Sequence, residues 1–322
     1  MTSPSITTLV IKTLLAVSLV LTAGCAPVKE QLFDWGLQAE RSLSDLSLHY
    51  VEAGPHRWAY LDSGQEGDSR PVLLLLHGFA VDKDNWLRFA RHLSDFRIIA
   101  PDFPGHGDSS YQAQLTYNFT QQSQWLAAFI DAIGLQRMHV VGNSMGGGIA
   151  VLLAHQHPQR VQSLTLMNAA GVFPPKPSEF QRRLEETGDN PLVVQSHEDF
   201  LALQAFALEQ PPFLPWPATD VLAQRAMARS GMNEKIFVDI MAEAEQNRRS
   251  GDNLTRLAEL TVPVMIVWGE QDRVLDVSSV AVFRQHIRQQ DSYILPGVGH
   301  APMLEVPQTS ANLVAEFVTQ LD

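Results

Sequence analysis

The 322-residue chain predicts an α/β fold: an eight-stranded, mostly parallel sheet flanked by helices, with a helical insertion. Three observations carry that expectation. Short runs such as Val72-Leu73-Leu74-Leu75-Leu76 and Val264-Met265-Ile266-Val267-Trp268 are continuously apolar, as strands buried on both sheet faces must be. Segments of helical periodicity separate such runs, and strand–helix alternation implies parallel pairing with helices on both faces. The third observation is Gly142-Asn143-Ser144-Met145-Gly146, set between an apolar run (138–141) and a helix-forming one (149–155). A Ser at the tip of so sharp a turn needs neighbours without Cβ atoms two positions away, where strand and helix nearly touch. Alone, the pentapeptide is equally a Gly-rich turn with an incidental Ser, so partners elsewhere in the chain must decide.

Composition bounds the function classes. Apolar residues make up 45% of the chain and charged residues 18%, enough for a substantial core. The net charge of −12 and the lack of a long Lys/Arg cluster exclude nucleic acid as a partner and polybasic attachment to anionic lipid. Oligomeric state leaves no mark in the sequence.

Taken in order, the chain begins with a segment bearing Lys12, then a run from Leu14 to Leu21 that is apolar except for Ser18, then Thr22-Ala23-Gly24-Cys25. Charged, apolar and small-residue regions in that order mark a targeting segment. It resembles a bacterial lipoprotein signal (residues 1–24), with Cys25 as the diacylated first residue of the mature protein; Thr22 stands where that motif more often has Leu. An ordinary signal peptide or an uncleaved anchor helix is the rival, although the run is short of the roughly 20 residues that span a bilayer. The expected setting is the bacterial cell envelope, with the membrane as partner through an N-terminal lipid anchor. Ala26 replaces the Asp that often retains lipoproteins at the inner membrane, which points to the outer membrane. Cys25 is the single cysteine, so the folded part forms no disulfide.

Residues 25–45 read as an anchor or linker helix opened by Pro27, with Val28, Leu32, Trp35, Ala39 and Leu43 at helical spacing. Lys29, Glu30, Asp34, Glu40 and Arg41 occupy the other face, and Gly36 weakens a continuous helix. The stripe suits an interfacial helix near the anchor or packing against the domain body; the second is the expectation kept.

The first part of the core covers 46–171. Strands are expected at 46–52, 56–61, 71–76, 97–100, 138–141 and 163–167, with helices at 85–93 and 119–133. From 172 to 256 the alternation stops, and Pro-rich turns separate helical patterns, which reads as a helical cap over one end of the sheet. It resumes over 257–322 with strands at 262–268 and 291–295 and helices at 278–286 and 308–321. No internal repeat is visible.

A Ser hydroxyl becomes a competent nucleophile only when an oriented base takes its proton. Trp268-Gly269-Glu270-Gln271-Asp272 places a carboxylate in the loop leaving one buried strand, and Pro296-Gly297-Val298-Gly299-His300 an imidazole in the loop leaving the next. Both loops emerge at the carboxyl edge of a parallel sheet, where sites collect. Ser144 is the candidate nucleophile and His300 the base; the acid is Asp272, with Asp276 and Glu270 as rivals. The backbone N–H groups of Met145 and Phe79 are the candidate oxyanion donors, Gly78 letting the second loop bend inward. His77 and His106 read as structural. His155 and His157, two apart, do not share a helix face and make a poor metal pair, so no metal is expected. The Gly142–Gly148 loop lacks the Gly-Lys-Ser/Thr ending of a phosphate-binding loop.

With these residues named, residues 46–322 resemble the α/β-hydrolase fold family, and more narrowly the family V bacterial lipases and monoacylglycerol-lipase-like hydrolases. The resemblance rests on His77-Gly78-Phe79 with Lys83-Asp84-Asn85-Trp86, and on Pro101-Asp102-Phe103-Pro104-Gly105-His106-Gly107-Asp108-Ser109. It rests equally on the elbow, on Trp268 to Asp276, and on Gly299-His300. It implies Asp272 as the acid, a helical cap, and hydrolysis of carboxylic esters of lipids or other small molecules through an acyl-enzyme, without a cofactor. Epoxide-opening and halide-removing relatives carry Asp at the elbow, against Ser144 here. Phe173, Phe200, Leu203, Phe206, Phe213, Leu214 and Trp216 are the cap residues expected to line an acyl pocket. Two alternatives remain: a carbon–carbon bond hydrolase or lactonase using the same residues, and a non-catalytic envelope lipoprotein on this scaffold.

Overall fold

Side-chain alternation along the strands decides the layers. In β3 (Val72–Leu76), Leu74 and Leu76 enter one core cluster while Leu73 and Leu75 enter a second on the opposite face. In β7 (Val264–Gly269), Val264 and Ile266 join the first cluster, and Met265 and Val267 the second. The computed structural model describes residues 25–321; the expected signal peptide, residues 1–24, lies outside them.

The other strands are β1 (Ser47–Ala53), β2 (His56–Asp62), β4 (Arg97–Pro101), β5 (Met138–Asn143), β6 (Val161–Met167) and β8 (Gln290–Leu295). Their order is β1-β2-β4-β3-β5-β6-β7-β8. β2 pairs antiparallel with β1 and β4, and every other pairing is parallel. The eight-stranded, mostly parallel sheet is the one expected, with strand ends within two residues of those read from the sequence.

On the first face lie α3 (Phe119–Ala132), α4 (Met145–Gln156), α9 (Asp252–Ala258) and α10 (Ser279–His286), which bury Phe129, Ile149, Leu257 and Phe283. The second face is covered by α2 (Leu87–Ala90), entered through a 3-10 turn (Lys83–Trp86), and by α12 (Pro307–Thr319). Trp86, Phe89, Val314 and Phe317 fill that side. A four-residue helix, α11 (Pro302–Glu305), begins two residues after His300 and is too short to show a period in the sequence.

Between β6 and β7 come α5 (Glu179–Thr187), α6 (His197–Ala207), α7 (Ala218–Ala228), α8 (Ser230–Ser250) and α9. Ser178 and Ser196 cap α5 and α6 by accepting from the N–H groups of Gln181 and Asp199. Gly188 and Gly251 end α5 and α8. α9 packs on α4 and α10, within the helix layer of the sheet, so the expected cap junction at 256/257 falls inside this helix.

The amino-terminal helix α1 (Cys25–Leu43) runs unbroken through Gly36. The face that meets the protein is a charged one that also carries Leu37, packed against the second core cluster. Arg41 makes a two-pronged contact with Asp84 at 2.7 and 2.6 Å, Glu40 pairs with Arg91, and Lys29 reaches Asp220 of α7 at 2.5 Å. Arg225 of α7 bonds Glu30 and Asp34 at 2.6 and 2.8 Å and lies over the Phe33 ring. The expected apolar stripe therefore faces away from the body, because ion pairs on the opposite side set the helix rotation. Among the described residues, no helix is long and apolar enough to cross a membrane.

Candidate active site

The turn from β5 into α4 is held by backbone packing that permits no side chain at Gly142 or Gly146. A Cβ at Gly146 would stand 2.3 Å from the Leu76 carbonyl oxygen, and one at Gly142 would stand 2.5 Å from that of Gly146. Between them Ser144 sits at φ 53° and ψ −119°, a region that non-glycine residues rarely adopt. Strain of that kind persists only where its surroundings enforce it. Here the Ser144 N–H donates to Met167 O at 3.1 Å, and its carbonyl accepts from Ala170 N at 2.9 Å. The turn thus projects Ser144 at the carboxyl edge of the sheet, at the amino end of α4, where Met145 contributes the next N–H.

The loop after β3 closes over this point. A Cβ at Gly78 would lie 3.3 Å from Ser144 Cβ, so the backbone leading to Phe79 passes directly beside the candidate nucleophile. Its neighbour His77 is fully buried, accepting from Phe103 N at Nε2 (3.0 Å) while Nδ1–H donates to Gly78 O (2.7 Å). Burial, then the nearby His106, push the His77 pKa well below the ordinary imidazole value. Lys83, on the same loop, is 1% exposed and pairs with Asp102 at 2.8 Å and Asp108 at 2.7 Å. Burial alone lowers its pKa, but Asp102, Asp84, Asp82 and Asp108 outweigh that and raise it. The loops after β3 and β4 are therefore locked together by one buried charge and one buried imidazole.

Across the sheet, Asp272 Oδ2 faces His300 Nδ1 at 2.9 Å, with the Asp272 side chain fully buried and the His300 side chain 13% exposed. Asp272 Oδ1 accepts from the N–H groups of Val274 (2.8 Å) and Leu275 (3.0 Å). The rivals point elsewhere. Asp276 Oδ1 accepts from Ser278 N at the start of α10, and Glu270 takes the Gln271 side chain in solvent. With Nδ1 engaged by Asp272, Nε2 is the ring nitrogen of His300 that remains.

Three further side chains, not evident from the sequence pattern, hold these loops together. Asn168, at the end of β6, donates through Nδ2 to Asp272 Oδ2 (2.6 Å) and Gly299 O (3.2 Å), and accepts at Oδ1 from Gly269 N (3.2 Å). Asn143, within the elbow, donates to Met167 O and to His300 O, both at 3.1 Å. Glu305 of α11 accepts from the N–H groups of Gly299 and Ala301 on either side of His300, and from Glu209 and Gln210 after α6. The only signal available for any of them was an Asn closing a buried strand, as Asn143 and Asn168 both do.

The expected acyl-lining set is partly displaced. Phe206 is buried with Phe180 and Val274, but Phe173, Phe213 and Trp216 are exposed to solvent. Phe237 of α8 lies against both the Phe79 and Phe180 rings, with centroids 5.9 and 6.1 Å apart. An apolar wall of Phe79, Phe237, Phe180, Phe206 and Val274 thus connects the loop beside Ser144 with the loop of Asp272. No group of His, Cys, Asp or Glu among the described residues is arranged to hold a metal ion.

Residues 71–307 match the family described as alpha/beta hydrolase fold. Lipase 1 of Psychrobacter immobilis is 32% identical over 289 residues, covering 89% of this chain and 88% of the relative. Monoacylglycerol lipase abhd6-B of Xenopus laevis is 31% identical over 288 residues, covering 86% and 83%. The crystal structure of a membrane phospholipase A, described as a bacterial virulence factor, superimposes with a TM-score of 0.86. It is 40% identical to this chain, and the match covers 96% of this chain and 98% of that one.

Proposed function

This chain belongs to the α/β-hydrolase fold family, and from that premise we propose that it is a carboxylic ester hydrolase acting on lipid esters through an acyl-enzyme. The observation that carries the reading is Ser144 at φ 53° on the elbow, with the Asp272–His300 pair at the ends of strands farther along the same sheet edge. In this reading His300 Nε2 takes the Ser144 proton as Oγ attacks the ester carbonyl, and returns it to the leaving alcohol. Asp272 holds the imidazole tautomer and offsets the charge His300 gains. The N–H groups of Met145 and Phe79 receive the oxyanion, and water hydrolyses the acyl-enzyme with His300 again as base. The relatives named as lipases and a phospholipase support lipid esters over carbon–carbon or lactone substrates.

The experiment is hydrolysis of p-nitrophenyl esters by the parent chain and by Ser144→Ala, with fluorophosphonate labelling of both. We expect the variant to lose labelling and to retain less than about one part in a thousand of the parent kcat. Retained turnover or labelling in the variant would sink the mechanism.

We also propose that Cys25 is lipidated and that the protein is anchored in the bacterial envelope, at the outer membrane because Ala26 follows Cys25. The order of Lys12, the apolar run and Thr22-Ala23-Gly24-Cys25 supports this. Metabolic palmitate labelling that persists in Cys25→Ala would refute it.

A further inference from the structure

We infer that the outward stripe of α1 lies flat on the lipid bilayer, holding α7 and the segment that precedes it at the membrane surface. The inference rests on the membrane-anchor reading above and adds which surface meets the lipid.

A surface helix of a water-soluble domain turns its apolar stripe inward and its charges outward. α1 departs from this pattern: its inward face is mixed, with Leu37 packed against the core beside the ion pairs. Its ion pairs to Asp84, Arg91, Asp220 and Arg225 point into the protein, while Val28, Leu32, Trp35 and Leu43 are 48, 37, 59 and 69% exposed. These four recur with Ala39 along one face from the first turn to the last, and that stripe carries no charge. An apolar stripe with Trp at its centre and charges opposite it is the pattern of a helix lying in the membrane interface.

The occupant follows from the sequence that leads into the helix. Cys25 opens α1 and directly follows the small-residue site after the apolar run Leu14–Leu21, so whatever anchors the chain delivers it to the bilayer at the first turn of this helix. The surface also extends beyond α1. The segment entering α7 adds Phe213 and Trp216, 79 and 69% exposed. Arg88 of α2 holds that segment through Phe213 O at 2.9 Å, beside the Arg91–Glu40 pair that fastens α1. Apolar groups that would not serve as pocket lining thus collect around the α1–α7 junction. Docked in this way, the helical insertion that carries the acyl-side wall is held against lipids resident in the membrane, which names the substrate class as esters of bilayer lipids.

The test is photo-crosslinking of the full chain, with p-benzoylphenylalanine in place of Leu32, Trp35, Gln38 or Arg249. The vesicles are phosphatidylcholine and phosphatidylglycerol containing an alkyne-tagged phosphatidylcholine. Expected are lipid adducts at positions 32 and 35 several-fold above those at 38, on the helix flank, and at 249, on α8. Equal adducts at all four positions, no lipid adducts, or a protein–protein adduct at 35 marking a second copy, would each overturn the docking. Repeating the measurement in Cys25→Ala separates the two readings. Membrane-bound Cys25→Ala chains with unchanged adducts mean that docking stands without the lipid, and a parent that takes up no palmitate then means that lipidation fails. Lipidated Cys25 with no preference for 32 and 35 means the opposite.

Discussion

Asn168 Nδ2 stands 2.6 Å from Asp272 Oδ2, the same oxygen that faces His300 Nδ1 at 2.9 Å. The other carboxylate oxygen takes two backbone N–H groups, so every direction from which Asp272 can be pulled is occupied. Asn168 achieves this from the neighbouring strand, in a left-handed conformation at φ 44°, while also holding Gly299 O and Gly269 N. It binds the two loops that bring Asp272 and His300 together.

Removing that amide is therefore expected to act through Asp272. A hydrogen bond to a charged acceptor contributes about 1.5–3 kcal/mol, so Asn168→Ala should lower kcat by roughly tenfold to a hundredfold. The KM for a short p-nitrophenyl ester should stay near the parent value, because the Asn168 amide is spent on Asp272, Gly299 and Gly269. Steady-state kinetics on the purified variant decide this; an unchanged kcat would remove Asn168 from the positioning network.

The choice of acid can be tested within one loop. Asp272→Asn should lower kcat by about 10⁴, since the amide leaves His300 without its charge partner and favours the wrong tautomer. Asp276→Asn should leave kcat near the parent value, because that carboxylate caps the turn into α10 and does not face His300. The reverse ranking of the two variants would reassign the acid.

Lys83 is predicted to be a stability hinge for the loop that carries Phe79. Lys83→Met leaves Asp102, which is 0% exposed, without its cation. Breaking a buried pair from one side costs about 3–5 kcal/mol. Urea unfolding should show that loss as a lower midpoint with an unchanged slope. A midpoint equal to the parent would mean that the pair is energetically silent.

Acid should destabilise the fold through two buried imidazoles. Burial, then Arg229, push the His106 pKa down to about 4, and His77 is lowered as well. His106 Nε2 has no hydrogen-bond partner among the described residues, so a proton added there is not stabilised. The unfolded chain takes up these protons near pH 6.5, before the folded one does. The stabilisation is therefore complete above about pH 6.5 and is lost as pH falls through about 4, amounting to about 3 kcal/mol for His106. Melting temperature recorded from pH 7.5 to 4 should fall on the acid side, and His106→Phe should flatten part of that limb. Identical limbs in the two proteins would exclude His106 as a contributor.

Local pattern was sufficient for much of this protein. Alternation in β3 and β7 sorts residues to the two sheet faces without reference to any partner, and apolar runs of strand length mark the buried strands. The elbow is also local: Ser144 and the two glycines that must approach β3 and α4 lie within five residues. The loops of Asp272 and His300 were legible because a parallel sheet brings successive strand ends to one edge, whatever the side chains do there.

What the sequence left open depends on contacts between distant segments. Asp272, Asp276 and Glu270 share one loop and equivalent chemistry, and only the fold turns one of them toward His300. Asn168 meets Asp272 across 104 residues of chain, and Asn143 meets His300 across 157, so no spacing rule announces either. In α1 the periodicity specified a stripe and its width but could not specify its direction. That depended on Asp84, Arg91, Asp220 and Arg225, whose charges rotate the polar face inward and leave Val28, Leu32, Trp35 and Leu43 outside. A one-dimensional pattern fixes which residues share a face, whereas the direction of that face is set by long-range pairings that exist only in the folded chain.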